Sequence, residues 1–202
     1  MNSFELTLSR TLGGENLKKL QQVRIGLAGA GGLGSNCAQI LVRSGFKKLR
    51  LVDFDRVEAG NLNRQFYFAY QVGQLKVEAL RANLLAINPD LELETLALEI
   101  NTANAASLFQ DCDAVIEALD HPAGKRLVAE SNLAPGKLVV AASGLAGWGG
   151  ADAIVTRRIT EDFYLVGDQV SAASPQCPPL APGVNVAAAK QADIVLARFL
   201  GR

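Results

Sequence analysis

Four glycines, Gly29, Gly31, Gly32 and Gly34, interrupt the passage from an apolar strand, Val23–Ala28, into a helix, Gly32–Ser44. No other feature restricts the fold as much. A strand that enters a helix through glycines gathers bare backbone N–H groups and the positive end of the helix dipole at one point. A polyphosphate binds there with no Cβ in its way. Asp53 ends a second apolar strand, Leu49–Phe54, about 20 residues beyond the last glycine, where a carboxylate accepts a ribose hydroxyl. A bound nucleotide is therefore expected.

The same alternation continues downstream. Strand-like runs at Leu91–Leu98, Ala114–Ala118 and Leu138–Ser143 are separated by helical segments at Val72–Ile87, Thr102–Phe109 and Pro122–Leu133. This order predicts a Rossmann-like α/β fold, a largely parallel sheet with helices on both faces. The runs IGLA, LRLV, AVIEAL and LVVAA are unbroken apolar stretches, as strands buried on both faces require. Val77, Leu80, Leu84 and Ile87 recur at helical spacing, and Asn88-Pro89 closes that helix. Ala153–Arg157 and Phe163–Gly167 read as a short antiparallel extension. Gly144–Gly150 and Ser174–Pro182 read as loops, and Gly183–Leu200 as a closing helix. At 202 residues and 49% hydrophobic content, one domain spanning residues 1–202 is expected.

Composition narrows the partners. Twenty acidic and twenty basic residues cancel, so neither nucleic acid nor an anionic membrane is expected to bind. No apolar run is long enough to cross a bilayer, and MNSFELTLSR lacks the basic-then-apolar order of a secretory signal, which predicts a cytoplasmic protein. Three widely spaced cysteines, Cys37, Cys112 and Cys177, make no disulfide framework. Cys37 falls on the core face of the first helix after the glycines. Cys112 lies between Asp111 and Asp113, where like charge disfavours a thiolate.

Between and beyond the strands stand Asp53-Phe54-Asp55, Asn61-Leu62-Asn63-Arg64-Gln65, Gly73-Gln74-Leu75-Lys76 and, after a strand, Asp120. Together with GAGGLGS, these segments resemble the ThiF/MoeB group of the ubiquitin-activating-enzyme superfamily. The chain looks most like the compact second class of ThiF proteins. The likeness is close from about Gly13 to Asp120 and looser beyond. It implies ATP-dependent adenylation of the C-terminal glycine carboxylate of a ubiquitin-fold sulfur carrier, with thiamine thiazole biosynthesis as the expected pathway.

The resemblance also implies a role for each matched position. Asp53 would grip the ribose, Asn61 the phosphates, Arg64 and Lys76 the α-phosphate and departing pyrophosphate, and Asp120 a magnesium ion. The residue types suit that chemistry. A carboxylate attacking a phosphate builds negative charge that fixed cations must meet, and magnesium prefers oxygen ligands. The nucleophile is already ionised, so no general base is needed, in keeping with the single histidine, His121. Asp55 reads either as a loop brace or as a ligand-side group.

Relatives also place an arginine ahead of the first helix, reaching the partner subunit's ATP site, which makes Arg10 a candidate and a homodimer the expected assembly. Many keep a thiol in the crossover loop that joins the activated carboxyl or carries sulfur from a donor protein, which singles out Cys177. Longer relatives bind zinc through two CxxC pairs that this chain lacks, so zinc is not expected. The loop Leu145–Gly150, with Trp148, is a candidate lining for the carrier's glycine tail. Two other readings stay open: a nicotinamide-dependent oxidoreductase using Asp53, and a non-catalytic scaffold. Hydride transfer has no need of NLNRQ and GQLK, and inactive halves of activating enzymes tend to lose the arginine and lysine that this chain has.

Overall fold

The computed structural model describes residues 1–201. Its elements run α1 (Ser3–Leu12), α2 (Gly14–Gln22), β1 (Arg24–Ala28), α3 (Gly32–Arg43), β2 (Lys48–Val52), α4 (Lys76–Leu85), β3 (Glu92–Leu96) and β4 (Ala114–Glu117). They continue with α5 (Pro122–Asn132), β5 (Leu138–Ala142), β6 (Val155–Arg158), β7 (Phe163–Gly167) and α6 (Ala181–Leu200). Seven strands form one sheet in the order β3-β2-β1-β4-β5-β7-β6, every neighbouring pair parallel except β6 with β7. The Rossmann-like expectation holds, including the short antiparallel extension.

Alternation along the strands divides the core. Ile25 and Leu27 of β1 and Ala114 and Ile116 of β4 join α2, α3, α4 and α6 in the larger apolar cluster. Val115 of β4 points the other way, onto Phe109, Cys112 and Val128 of α5. Gly26 is glycine because Phe109 occupies the space a Cβ would take. The chain moves outward from β1 through β2 to β3, then returns to place β4 against β1's other edge. In such sheets ligands bind outside the carboxyl ends of the strands where the winding reverses. The glycine turn leaves β1 and the Asp120 turn follows β4, on the two sides of that reversal.

Three departures from the sequence reading have local causes. Two helices precede β1, held by Leu17 and Leu20, which lie three apart on α2 and are buried. Thr102–Phe109 is not a helix; it forms turns ending in one 3-10 turn at Ser107–Phe109. The Asn101 side chain accepts from the Ala103 N–H (3.0 Å) and that of Asn104 from the Asn101 N–H (2.8 Å), local bonds that compete with helix formation. Finally, α4 begins at Lys76 and not at Val72, because Gly73, at φ 91°, gives its N–H to the Val57 carbonyl.

Candidate active site

Two of the four glycines are required by backbone packing, Gly32 lies under the Val184 side chain, and Gly31 lines free space. Gly29 has φ 101°, and a Cβ there would lie 2.7 Å from the Ala118 carbonyl oxygen, so the turns after β1 and β4 touch backbone to backbone. A Cβ on Gly34 would overlap the Gly29 carbonyl, which lets α3 start directly over the turn. At Gly31 the nearest atom to a Cβ would be Gln65 Nε2, 3.8 Å away. Ser35 is the first residue of α3 whose N–H bonds back, to the Gly31 carbonyl (3.0 Å). The N–H groups of Gly32, Leu33 and Gly34 have no carbonyl in a preceding turn. This is a cradle that phosphate oxygens fit.

Asp53 ties the cradle to β2. Its Oδ2 accepts from the Ala30 N–H (2.6 Å) and its Oδ1 from the Asp55 N–H (2.8 Å). Each oxygen retains a second lone pair with which to accept a ribose hydroxyl. Below the turn the buried Tyr67 hydroxyl donates to the Ala30 carbonyl (2.6 Å). Burial, reinforced by the charges of Asp53 and Asp55, pushes that phenol's pKa up, so it stays a neutral donor.

The loop from Asp55 to Lys76 carries both candidate cations to the lip of the cradle. Lys76 opens α4 and is buried, and its Nζ donates to Asp55 Oδ2 (2.6 Å), while its N–H donates to the Asp55 carbonyl (2.9 Å). The Asp55 side chain is 48% exposed, so one ammonium is held at the edge of solvent by one carboxylate. Asp55 is thus the brace for Lys76. The Arg64 stem lies beside Gly32, its Cγ 3.7 Å from the position a Cβ would take, and its Nη1 donates to Asn63 Oδ1 (2.7 Å) and the Gly60 carbonyl (3.2 Å). Asn36 of α3 fixes the segment by donating to both the Arg64 (2.8 Å) and Gly32 (2.7 Å) carbonyls, and Ser35 Oγ accepts from the Phe66 N–H (3.0 Å). Asn61 Oδ1 accepts from the Glu58 N–H (3.1 Å) in a reciprocal cap. Gln65 is buried with Oε1 unpaired.

Asp120 is exposed at the mouth of β4, one residue beyond Leu119, whose side chain approaches Gly29. Magnesium usually takes one or two carboxylates and completes its shell with phosphates and water, and a single exposed carboxylate beside a phosphate cradle fits that pattern. Among the described residues, no group of three or more His, Cys, Asp or Glu side chains converges to hold a metal unaided. His121 caps α5, its Nδ1 accepting from the Gly124 N–H (3.0 Å) ahead of Pro122.

Two candidates lie apart from this group. Arg10 is exposed in the last turn of α1, not ahead of the first helix. Glu5 anchors that helix to Lys47 (3.2 Å) and Asn88 (3.3 Å), at the amino ends of β2 and β3, whereas the cradle is at the carboxyl end of β1. Cys177 lies in a turn closed against Ser174, its Sγ packed on Gly147, whose N–H donates to the Pro178 carbonyl (3.0 Å). That loop leads into α6, where Val184 packs on Gly32, so the thiol approaches from the cradle side of the sheet. Trp148 is 70% exposed beside it. The other two thiols are core. Burial raises Cys37 strongly and pushes Cys112 up to about 11, with Asp111 contributing less than burial and Arg50 opposing.

Neither Asn36 nor Tyr67 is legible as a site residue from sequence. Both lie outside the glycine and NLNRQ patterns and act only through backbone carbonyls brought near by folding.

Comparison with known proteins identifies the family and the fold. The adenylyltransferase and sulfurtransferase UBA4 of Candida glabrata is 36% identical over 128 residues, 63% of this chain and 30% of that protein. Ubiquitin-like modifier-activating enzyme 5 of Xenopus laevis is 40% identical over 97 residues, 48% of this chain and 24% of that protein. The chain spans about a third or less of the length of these curated relatives. The crystal structure of the tRNA N6-threonylcarbamoyladenosine dehydratase TcdA of E. coli, in complex with ATP, superposes with a TM-score of 0.85 at 19% identity. That match covers 96% of this chain and 93% of that one, and shows a shared fold. The ThiF family profile matches residues 5–202, almost the full length of the sequence. The chain belongs to the ThiF family.

Proposed function

We propose that the protein is an adenylyltransferase that activates the C-terminal carboxylate of a ubiquitin-fold sulfur carrier with MgATP. One observation carries this reading. The loop from Asp53 to Lys76 brings a ribose-binding carboxylate, a guanidinium and an ammonium to the lip of a glycine cradle, with Asp120 across the strand reversal. Hydride transfer would leave both cations without work.

In the reaction the carrier's carboxylate oxygen attacks the α-phosphorus, and the bond to the bridging oxygen of the β-phosphate breaks. Pyrophosphate leaves with the electron pair, and no proton is transferred. The N–H groups of Gly32, Leu33 and Gly34 hold phosphate oxygens, and Asp53 holds the ribose. Lys76, released from Asp55, meets the charge that grows on the α-phosphate, and Arg64 turns from Asn63 toward the departing pyrophosphate. Asn61 steadies the phosphates with its side-chain amide. Asp120 would hold magnesium, which neutralises phosphate charge when bound.

The finer parts of the proposal are residues 1–202 as one adenylating unit, a homodimer and a cytoplasmic setting. A sulfur donor then makes the thiocarboxylate, and thiamine thiazole formation is the pathway. Cys177 acts, if at all, after adenylation. The test is intact-mass analysis of a carrier ending in Gly-Gly after incubation with MgATP and the protein. The expected result is an added AMP, with carrier-dependent ATP–pyrophosphate exchange. Arg64→Ala or Lys76→Ala should slow exchange roughly a hundred- to a thousand-fold, about 3–4 kcal/mol in the barrier. Cys177→Ser should leave it unchanged. No adduct, together with an absorbance change on adding a reduced nicotinamide, would overturn the reading in favour of an oxidoreductase.

A further inference from the structure

A fully buried carboxylate lies beneath the cradle with no part in the chemistry so far described. Glu117, the last residue of β4, is 0% exposed, and both of its oxygens are bonded. Oε1 accepts from the Leu119 N–H (2.7 Å) and from Lys125 Nζ (3.2 Å). Oε2 accepts from Lys125 Nζ (3.0 Å) and, at 3.4 Å, from the Ala142 N–H at the end of β5. The β4–β5 ladder stops at Ile116 and Val140. Beyond it the carboxylate receives the N–H groups that ladder bonds would otherwise use. Gln191 of α6, also fully buried, donates to the Glu117 carbonyl (3.1 Å) from the other side. The sheet end, α5 and α6 therefore meet at one residue, the first two through its carboxylate and α6 through its backbone carbonyl.

Such a pair is a poor device for stability. Burying two charges costs much of what their attraction returns, and apolar residues of the same volume often do as well. The surroundings, Val115 and Val128, are apolar and would accept such residues. What an apolar pair could not do is bond the Leu119 N–H, the last donor before Asp120. On the far side of Asp120, His121 caps α5, and Lys125 stands one turn further along that helix. The turn Ala118–His121 is thus pinned at both ends, with Lys125 closing the loop back to Glu117.

We infer that the buried Glu117 and its half-buried partner Lys125 are a positioning pair that sets the Leu119–Asp120 turn for metal-dependent nucleotide binding. The inference rests on the proposed magnesium role of Asp120. Its test is calorimetric titration of ATP into the full chain, once with magnesium and once with EDTA. The quantity read is the ratio of the two affinities. In Lys125→Met and in the double variant E117M/K125M, which leaves no uncompensated buried ion and no acceptor for the Leu119 N–H, the MgATP affinity should fall about ten- to a hundred-fold. Affinity in EDTA should stay within about twofold of the parent chain, the melting temperature should hold, and Lys125→Arg should restore the ratio. The control is Asp120→Asn. If it leaves the ratio unchanged, the magnesium role itself fails. If it abolishes the ratio while folded K125M and the double variant keep it, the positioning pair is overturned. Loss of folding in the double variant would show that the pair serves the fold and not the turn, and would overturn it equally.

Discussion

A single lysine illustrates how little of a functional group's setting its own residue type specifies. Lys76 would read as a snorkelling residue on the edge of an apolar stripe, yet its amine is buried against Asp55 and its backbone is tied to the same residue. The pairing holds the cation beside a carboxylate that is itself half exposed, the partner from which the proposed mechanism releases it. The cysteines make the converse case, since the same residue type has two fates set by environment. Cys37 and Cys112 are buried and burial holds their thiols protonated, Cys112 pushed up to about 11, which disfavours the reactive thiolate at pH 8. Iodoacetamide at pH 8 should therefore give the folded protein one rapid adduct, on Cys177. Peptide mapping that finds Cys112 modified as fast would contradict this assignment.

Among the elements, the turn from β1 into α3 makes the sharpest distinction between glycines that serve packing and glycines that serve ligand. Gly34→Ala would drive a methyl into the Gly29 carbonyl. It should destabilise by about 1–3 kcal/mol, a cost of overpacking against unyielding backbone, visible as a lower denaturation midpoint. Gly31→Ala has a negative φ and free space, so stability should move by no more than about 0.5 kcal/mol. Its methyl projects into the cradle, and calorimetry should show ATP affinity at least about tenfold weaker. Equal losses of stability in both variants would refute the distinction. Elsewhere, elements departed from expectation where side chains compete with backbone. Asn101 and Asn104 turn a helical composition into turns, and Gly73 delays α4 by a full turn so that Lys76 falls at its start.

On the scale of the whole molecule, the winding reversal between β1 and β4 brings the glycine turn and Asp120 together, although they are far apart in sequence. The same architecture anchors α1, which carries Arg10, at the amino ends of β2 and β3, the other end of the strands from its own cradle, through Glu5 and Asn2 on Asn88. If Arg10 serves a nucleotide, that nucleotide is in another copy. Light scattering at micromolar concentration should give about twice the 21.4 kDa chain mass. Arg10→Ala and Lys76→Ala proteins, each impaired, should recover part of the exchange activity when mixed, because one site of each mixed dimer is complete. A monomer, or no recovery from a dimer that exchanges subunits, would remove Arg10 from the mechanism.

The alternation of apolar runs with helical segments, and the glycines between the first strand and helix, were enough to specify the sheet, its largely parallel sense and the glycine turn at the carboxyl end of β1. Those are local or periodic properties, written in consecutive residues. The motif residues Asp53, Arg64, Lys76 and Asp120 were also legible, as types at fixed spacings. Tertiary structure alone decided which carboxylate braces Lys76 and which tyrosine and asparagine hold the cradle's carbonyls. It also decided that a glutamate inside an apolar strand is bonded through both oxygens. Each of these depends on two segments remote in sequence meeting within about 3 Å, the reach of a hydrogen bond. No pattern along one chain segment encodes such a meeting; it is set by the order in which the strands assemble.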